Sequence, residues 1–141
     1  MDNGKLTPAM RAFLEEKRFA SLATINPDGS PQQTVMWYLP QGDKIMMNTR
    51  RGRKKDQNLL RDRRASICVE DGYRFVSIGG TVELIEDDQA RCQADIKALA
   101  TRYHGPARAE EQVRETFSKQ ERITILLSID QVLTDGFDDQ A

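Results

Sequence analysis

The sequence predicts a mainly β protein with peripheral helices, in which six antiparallel strands close into a small barrel. Tight-turn signals join neighbouring strand-like segments, so those strands are antiparallel and form no βαβ repeat. A double glycine, Gly79-Gly80, interrupts the longest strand, as expected where a sheet bends sharply or carries a bulge. The 141 residues, 38% of them hydrophobic, suffice for one core, and we expect a single domain over residues 1–141.

The N-terminal part begins with a helix and continues as a meander of three strands. The helix is expected over about residues 7–17, with Thr7 as its cap and an apolar face of Met10, Phe13 and Leu14. Turn signals at residues 26–29 and 42–43 separate the strands. These strands are expected at 19–25, 31–39 and 44–49.

The remainder alternates helices with three further strands. A short helix is expected at about 54–61, with Leu59 and Leu60 facing inward. Two more helices are expected at 87–103, ended by Gly105-Pro106, and at 110–118. The strands are expected at 65–70, 74–85 and 123–129, and the acidic tail, 135–141, is expected to fray.

Composition argues against several classes of function. The net charge of −1 is far from that of proteins that bind duplex DNA through its phosphates. Apolar runs are too short for a membrane span, and the N-terminus lacks the apolar segment of a signal peptide, so we expect a cytoplasmic protein. Cys68 and Cys92 are expected to be buried free thiols, and no ligand spacing predicts a metal site. Common nucleotide and hydrolase fingerprints are absent.

The junction after the third predicted strand is strongly basic. Eight Arg and Lys side chains fall between positions 50 and 64, against two acids, Asp56 and Asp62. Basic residues in a first turn oppose the helix dipole and lower stability unless an anion binds there. Gly52 lets a ligand approach the backbone. The segment therefore predicts a phosphate site, with a solvated charged surface as the alternative and nucleic acid disfavoured for lack of interleaved aromatics.

The segments DGSPQQTVMWYL and KIMMNTRRGRKKDQNLLRDRRASICVE resemble the flavin-binding split-barrel superfamily, whose best-known member is pyridoxamine 5′-phosphate oxidase. The family pattern is a strand ending in Thr, a short Gly-containing loop, and an Arg-Lys pair that opens a helix. Thr49 matches the threonine, Lys54 and Lys55 match the pair, and Asn58-Leu59 continues the match. The resemblance covers residues 19–132 and implies a six-stranded antiparallel split β-barrel.

One branch is matched further. The pattern PxxxVxW at positions 31–37, the segment VSIGGTVELIED and the helix ending Arg102-Tyr103-His104-Gly105 are similar to reductases that use the deazaflavin coenzyme F420. The resemblance implies hydride transfer from reduced F420 to a small conjugated organic substrate. FMN is the alternative cofactor, and a non-catalytic flavin- or haem-binding protein is the alternative function.

In this family the loop and the first turn of the helix hold the cofactor phosphate, and the preceding strand lines the tricyclic ring. The resemblance therefore implies a cofactor site that includes Gln33, Thr34, Val35, Met36, Trp37, Asn48, Thr49, Arg51, Arg53, Lys54, Lys55 and Asn58.

The sequence departs from the family in ways that bear on activity. The Arg-Lys pair is Lys-Lys, which lacks the guanidinium fork, so Arg51 or Arg53 is expected to supply it. The C-terminal Trp and Arg that pyridoxamine 5′-phosphate oxidase uses on its substrate are missing. No catalytic residue is assigned: His104, after a helix, is more typical of a cap or surface residue.

We expect a homodimer with cofactor sites at the subunit interface. A barrel this small is filled by its own side chains, so a three-ring cofactor must lie in a surface groove. Such a groove needs a second wall, which a two-fold partner can provide. Strand faces around Val35, Trp37, Ile45 and Met47 carry more apolar surface than one small core needs. Trp37 is expected either to cover a ring face or to pack in the core.

Overall fold

The computed structural model describes residues 6–137, which contain eight strands and four α-helices. The strands are β1 (Ala20–Ile25), β2 (Pro31–Met36), β3 (Leu39–Gln41), β4 (Lys44–Arg50), β5 (Arg64–Glu70), β6 (Phe75–Ile85), β7 (Arg122–Ser128) and β8 (Gln131–Asp135). The helices are α1 (Pro8–Glu15), α2 (Lys54–Arg61), α3 (Gln89–His104) and α4 (Pro106–Glu115), with a 3₁₀ turn at Phe117–Lys119.

All strand pairs are antiparallel and form one curled, open sheet. Its order is β2-β1-β5-β6-β7-β4-β3, and β8 pairs with β6 beside β7. The edge strands β2 and β3 are consecutive in the chain and joined by two residues, Trp37 and Tyr38. The sheet therefore curls back on itself without closing, and the split lies where these two edges approach each other.

The predicted mainly β split barrel is confirmed, but the described residues hold eight strands where the sequence predicted six. The predicted strand at 31–39 breaks after Met36 because Tyr38 turns into the core. The Tyr38 ring is fully buried, and its Oη donates a hydrogen bond of 2.8 Å to the Leu14 carbonyl oxygen. The chain thus leaves the β1 edge and begins β3. The other additional strand, β8, continues β7 after a two-residue interruption.

Gly79-Gly80 predicted a bulge or sharp bend in the long strand, but β6 runs unbroken and in one register with β5, and Gly79-Gly80 is instead where its other edge changes partners. Residues before it pair with β8 and residues after it pair with β7. The Ser128 backbone closes in on Gly80, where a Cβ would lie 2.2 Å from the Ser128 carbonyl oxygen. The Ser128 hydroxyl also accepts a hydrogen bond from Thr81 N–H at 3.0 Å. A glycine is therefore required at Gly80 for the two strands to meet.

One core fills the barrel, and α1 closes one end of it. Thr7 caps α1 as predicted, its Oγ1 accepting from Met10 N–H, and the predicted apolar face is buried. On α2, Leu59 is buried, but Leu60 is 42% exposed, contrary to the prediction. An eight-residue helix on a curved surface presents a narrow apolar stripe, and the next residue lies about 100° away from it.

The helix α3 packs on the outside of β4 and β7 and creates a second apolar cluster. Met46 and Leu126 from the strands meet Ile96, Leu99 and Tyr103 from the helix. Gly105, at φ 87°, ends α3 as predicted. The next helix begins at Pro106, earlier than the predicted 110, because proline suits a first helical turn.

Three smaller expectations concern the cysteines, the tail and membranes. Both cysteines are free; Cys92 is buried, whereas Cys68 is only partly buried on the outer sheet face. In the tail, the Phe137 ring meets the Phe13 ring edge-on at 5.3 Å, and residues 138–141 lie outside the described part. Within residues 6–137 no helix is long and apolar enough to cross a membrane.

Candidate functional site

A groove runs between β2, β4 and the segment that leads into β7. It consists of two adjoining cavities of about 270 and about 220 Å³, which share Met36, Asn48, Phe117 and Arg122 in their walls. The first cavity is otherwise polar and basic, lined by Thr49, Arg50, Arg53, Lys55 and Gln120. The second is apolar, lined by Val35, Trp37, Ile96 and Leu99. The groove thus has a basic end and an apolar end.

The loop between β4 and α2 forms the basic end. Gly52 has a φ of +97°, which favours glycine, and its N–H donates to the Asp56 carboxylate at 3.0 Å. Asp56 is 1% exposed and so ties the loop to the first turn of α2. No side chain caps the N-terminus of α2, whereas α1 and α3 are capped by Thr7 and Asp88. The first N–H groups of α2 are therefore available to an anion.

Two buried cations face this end. Lys55 is only 8% exposed, and burial together with nearby Arg53 lowers its pKa. Arg122 is 7% exposed, and burial lowers its pKa to about 10, helped by repulsion from Arg50 and Arg53. Within residues 6–137 neither side chain forms a salt bridge. Unpaired buried charges are costly, which favours a bound anion as their partner.

Arg122 was absent from the set of residues predicted from sequence. It lies at the start of β7, 67 positions after Lys55, and nothing local distinguishes it from a surface arginine. The one sequence feature that could have indicated its burial is its position immediately before the apolar run ITILLSI, where a charged residue begins a buried strand. Only the pairing of Arg122 with Arg50 across β4 and β7 brings it to the groove.

The apolar end is bounded by Trp37 and by the free edge of β2. The Trp37 ring stacks on Tyr103, with centroids 5.2 Å apart and planes 9° apart, so one face is packed while the residue still lines the cavity. The packing expected as one alternative for Trp37 is therefore observed, and the covering of a cofactor ring stays a prediction. β2 pairs only with β1 among the described strands, so its other edge leaves backbone donors and acceptors unused. Such groups can bind the polar edge of a flat ligand.

The structure brings together seven of the twelve predicted site residues. The groove is lined by Val35, Met36, Trp37, Asn48, Thr49, Arg53 and Lys55. The other five do not line it: Gln33 is exposed on the outer sheet face, Thr34 points toward the barrel side, Lys54 is exposed, and Asn58 hydrogen-bonds Thr24 and Asn26. Arg51 is held by the carboxylates of Glu86 and Glu121 at 3.0 and 2.8 Å.

His104 and the three tyrosines all lie outside the groove lining. The His104 ring is exposed and lies 5.2 Å from the Trp37 ring, edge to face. The Tyr103 hydroxyl donates to the Arg18 carbonyl and accepts from Tyr38 N–H at 3.2 Å. Burial raises the pKa of Tyr38 to about 12. Tyr73 is 91% exposed. None of these four side chains lines either cavity.

A family model described as pyridoxamine 5′-phosphate oxidase matches residues 6–133. Among solved structures, a conserved hypothetical protein of Mycobacterium tuberculosis is 29% identical, with a TM-score of 0.74, over 92% of this chain and 84% of that one. An F420 reductase is 24% identical, with a TM-score of 0.73, over 91% and 98% of the two chains.

Another structural relative is a haem storage protein of Vibrio cholerae. It is 16% identical, with a TM-score of 0.73, over 97% of this chain and 99% of that one. At these identities the reductase and the haem protein establish the shared fold, and the same fold therefore carries different ligands.

Proposed function

The chain belongs to the pyridoxamine 5′-phosphate oxidase family of flavin-binding split barrels, and from this premise we propose that it is an oxidoreductase using a phosphorylated flavin or deazaflavin. The observation that carries the proposal is the groove, whose uncapped helix and buried Lys55 and Arg122 adjoin an apolar half beside Trp37. A cofactor with a phosphate at one end and flat rings at the other has this same division of polarity.

We propose coenzyme F420 as the cofactor and FMN as the alternative. Arg50, Arg53, Lys54 and Arg63 are exposed, and in the described residues none is in a salt bridge. One phosphate needs fewer cations than this. The polyglutamate tail of F420 adds carboxylates beyond the phosphate, which this surplus of positive charge suits. The F420 reductase with the same fold supports this choice.

The cofactor supplies the hydride chemistry, and the residues of this chain hold and orient it. The α2 N-terminus, Arg53 and Lys55 would bind its phosphate, with Arg50 beside them. Val35, Trp37 and Leu99 would cover part of its ring and exclude water. The substrate that this arrangement favours is a small conjugated organic molecule lying against the remaining ring face.

We propose that two copies of the chain pack through the outer face of the sheet. Directly paired residues there are small in the middle: Ala23, Ser66 and Gly79 in one row, Ser21, Cys68 and Ser77 in the next. The second row begins with Val35, which is 69% exposed and also lines the apolar cavity. A partner on this face would supply the missing wall of the groove. A cavity of about 430 Å³ beside Arg64 and Asp130 opens on the same face, away from the groove.

The test is titration of the purified protein with F420 and with FMN, each followed by fluorescence at two salt concentrations. We expect both to bind, F420 more tightly and with the steeper loss of affinity at high salt. Tight stoichiometric FMN binding without F420 binding would replace the cofactor with the alternative. Substrate-dependent oxidation of the reduced cofactor distinguishes an enzyme from a binding protein. Haem binding in place of both would overturn the proposal.

A further inference from the structure

Arg122 is a buried guanidinium that no carboxylate neutralises directly. Its Nε donates to Asn48 Oδ1 at 2.9 Å, and its Nη1 donates to Gln120 Oε1 at 2.5 Å. Its guanidinium carbon lies 5.0 Å from the centre of the Phe117 ring. Within residues 6–137 no group accepts a hydrogen bond from Nη2. The side chain is therefore fixed by neutral partners that leave its charge uncompensated.

The hydrogen-bond network behind Arg122 extends to an acid that is too far away to pair with it. Asn48 Nδ2 donates to Thr124 Oγ1 at 3.2 Å, and Thr124 Oγ1 donates to Asp95 Oδ2 at 2.8 Å. Asp95 is already paired with Arg91 at 2.9 Å. The network orients Asn48 and so holds Arg122, while the negative charge stays two side chains away.

The position of Arg122 separates it from the phosphate-binding cations. It lines both cavities, whereas Arg50, Arg53 and Lys55 line only the basic one and Trp37 and Leu99 only the apolar one. Suppose that a ligand places its phosphate at the basic end and its rings at the apolar end. Arg122 then lies beside the junction between the rings and the chain that carries the phosphate. In flavins and deazaflavins alike, the N1–C2 carbonyl edge of the pyrimidine ring lies beside that chain.

We propose, on the basis of the function proposed above, that Arg122 binds the N1–C2 carbonyl edge of the cofactor ring and stabilises the negative charge that develops there. A hydride carries one proton and two electrons, so a flavin ring that accepts it gains one negative charge unless N1 takes up a second proton. A fixed guanidinium at that edge favours the reduced ring. In oxidised F420, the acidic ring hydroxyl, once ionised, delocalises its charge onto the same edge.

The sharpest variant is Gln120→Glu. It keeps the shape of the side chain and places a carboxylate on Arg122 Nη1, which neutralises the guanidinium without removing it. Arg122→Gln removes the charge outright. Arg53→Gln is the matched control, because it removes a cation from the basic end only. Thermal unfolding of the three variants establishes that each is folded.

The readouts are the reduction potential of bound FMN, measured anaerobically against an indicator dye, and the pH titration of bound F420 by absorbance. We expect Gln120→Glu and Arg122→Gln to reduce the preference for reduced over oxidised FMN at least tenfold, about 30 mV toward more negative potential. Both should move the F420 ionisation to higher pH. Arg53→Gln should weaken both redox forms equally and leave the potential unchanged.

Two results would count against this role. If the wild type binds FMN or F420 and the folded Arg122 and Gln120 variants leave the potential and the titration where they were, Arg122 acts only in packing and the inference is wrong. If the wild type binds neither cofactor, the proposed function fails and the inference fails with it.

Discussion

At the scale of single residues, the groove combines buried charge with uncapped backbone. Lys55 and Arg122 are each more than nine-tenths buried, and neither is in a salt bridge within the described residues. Burial lowers the pKa of both. In a protein without a ligand this arrangement costs stability. The anion of the proposed cofactor would offset this cost, so under the proposed function these two residues would link the affinity for the cofactor to the stability of the fold.

Replacing Lys55 by methionine separates these two effects. Lys55→Met removes the charge and keeps most of the volume. We expect it to weaken cofactor binding by about 1.5–3 kcal/mol, the usual value of a hydrogen bond to a charged group, measured by fluorescence titration. Gln57→Met, on the exposed side of the same helix, is the control and should bind normally. If Lys55→Met binds the cofactor with wild-type affinity, the basic side chains form a solvated charged surface and not a phosphate site.

The same substitution has a pH-dependent effect on the unliganded protein. The pKa of Lys55 is lowered in the folded state, so the unfolded chain binds more protons between that lowered pKa and 10.5. Below this window the wild type bears the full cost of a buried charge, and above it the cost is gone. We expect Lys55→Met to be more stable than wild type in urea at pH 7, with a smaller difference at pH 10. A difference that grows with pH would contradict this origin.

At the scale of the structural element, the loop from β4 to α2 assigns different tasks to neighbouring arginines. Arg51 is held by Glu86 and Glu121, whereas Arg53 points into the groove. We expect Arg53→Gln to weaken cofactor binding about tenfold with little change in melting temperature. We expect Arg51→Gln to lower stability by about 1 kcal/mol or less, as is usual for partly exposed pairs, with a smaller effect on binding. Binding titration and thermal unfolding of both variants decide the assignment.

A second prediction concerns the point in β6 where its pairing changes from β8 to β7. A methyl group at Gly80 would meet the Ser128 carbonyl oxygen at 2.2 Å, whereas at Gly79 the nearest atom, on the flexible Gln131 side chain, is 3.7 Å away. Gly80→Ala should therefore lower the free energy of unfolding by at least about 2 kcal/mol. Gly79→Ala is the matched control and should be close to neutral. If the two variants are equally stable in urea, β6 and β7 can move apart at Gly80 and Ser128 without cost, and the prediction is wrong.

At the scale of the whole molecule, the outer face of the sheet, with its small residues, is the surface through which the two copies of the proposed dimer would pack. Ser66 lies near its centre, between Ala23 and Gly79. We expect Ser66→Arg to remain folded but to become monomeric in light scattering, because a long charged side chain blocks close packing of two sheets. It should also weaken cofactor binding, since Val35 links this face to the groove.

Glu111→Arg on α4 is the control for Ser66→Arg, because it introduces the same side chain at an exposed position outside the paired rows of this face. A wild-type monomer that binds the cofactor at full affinity would disprove the dimeric site. A Ser66→Arg dimer would place the interface on another surface.

The positions of most helices and strands, and the basic loop between β4 and α2, could be read from the sequence because both are local. Helix α2 lies at its predicted residues, and the turn and loop glycines, such as Gly52, sit where positive φ is needed. The order Thr49, glycine loop, Lys54-Lys55 was also one of the motifs that together indicated the family, which the match over residues 6–133 confirms, and the phosphate site stays a prediction. Such signals span few residues, and backbone conformation and helix capping act over the same distance.

Only the tertiary structure decided which side chains face the groove. Ile45 and Met47, expected to leave apolar surface for a partner, are fully buried in the core, and Val35 alone of the four expected residues is largely exposed. Arg51 forms salt bridges with Glu86 and Glu121, which are distant in the sequence. Arg122 lies in the groove because β4 pairs with β7. Strand pairing and burial bring together residues that are far apart in the chain. No local sequence pattern therefore predicts which of several neighbouring cations becomes buried.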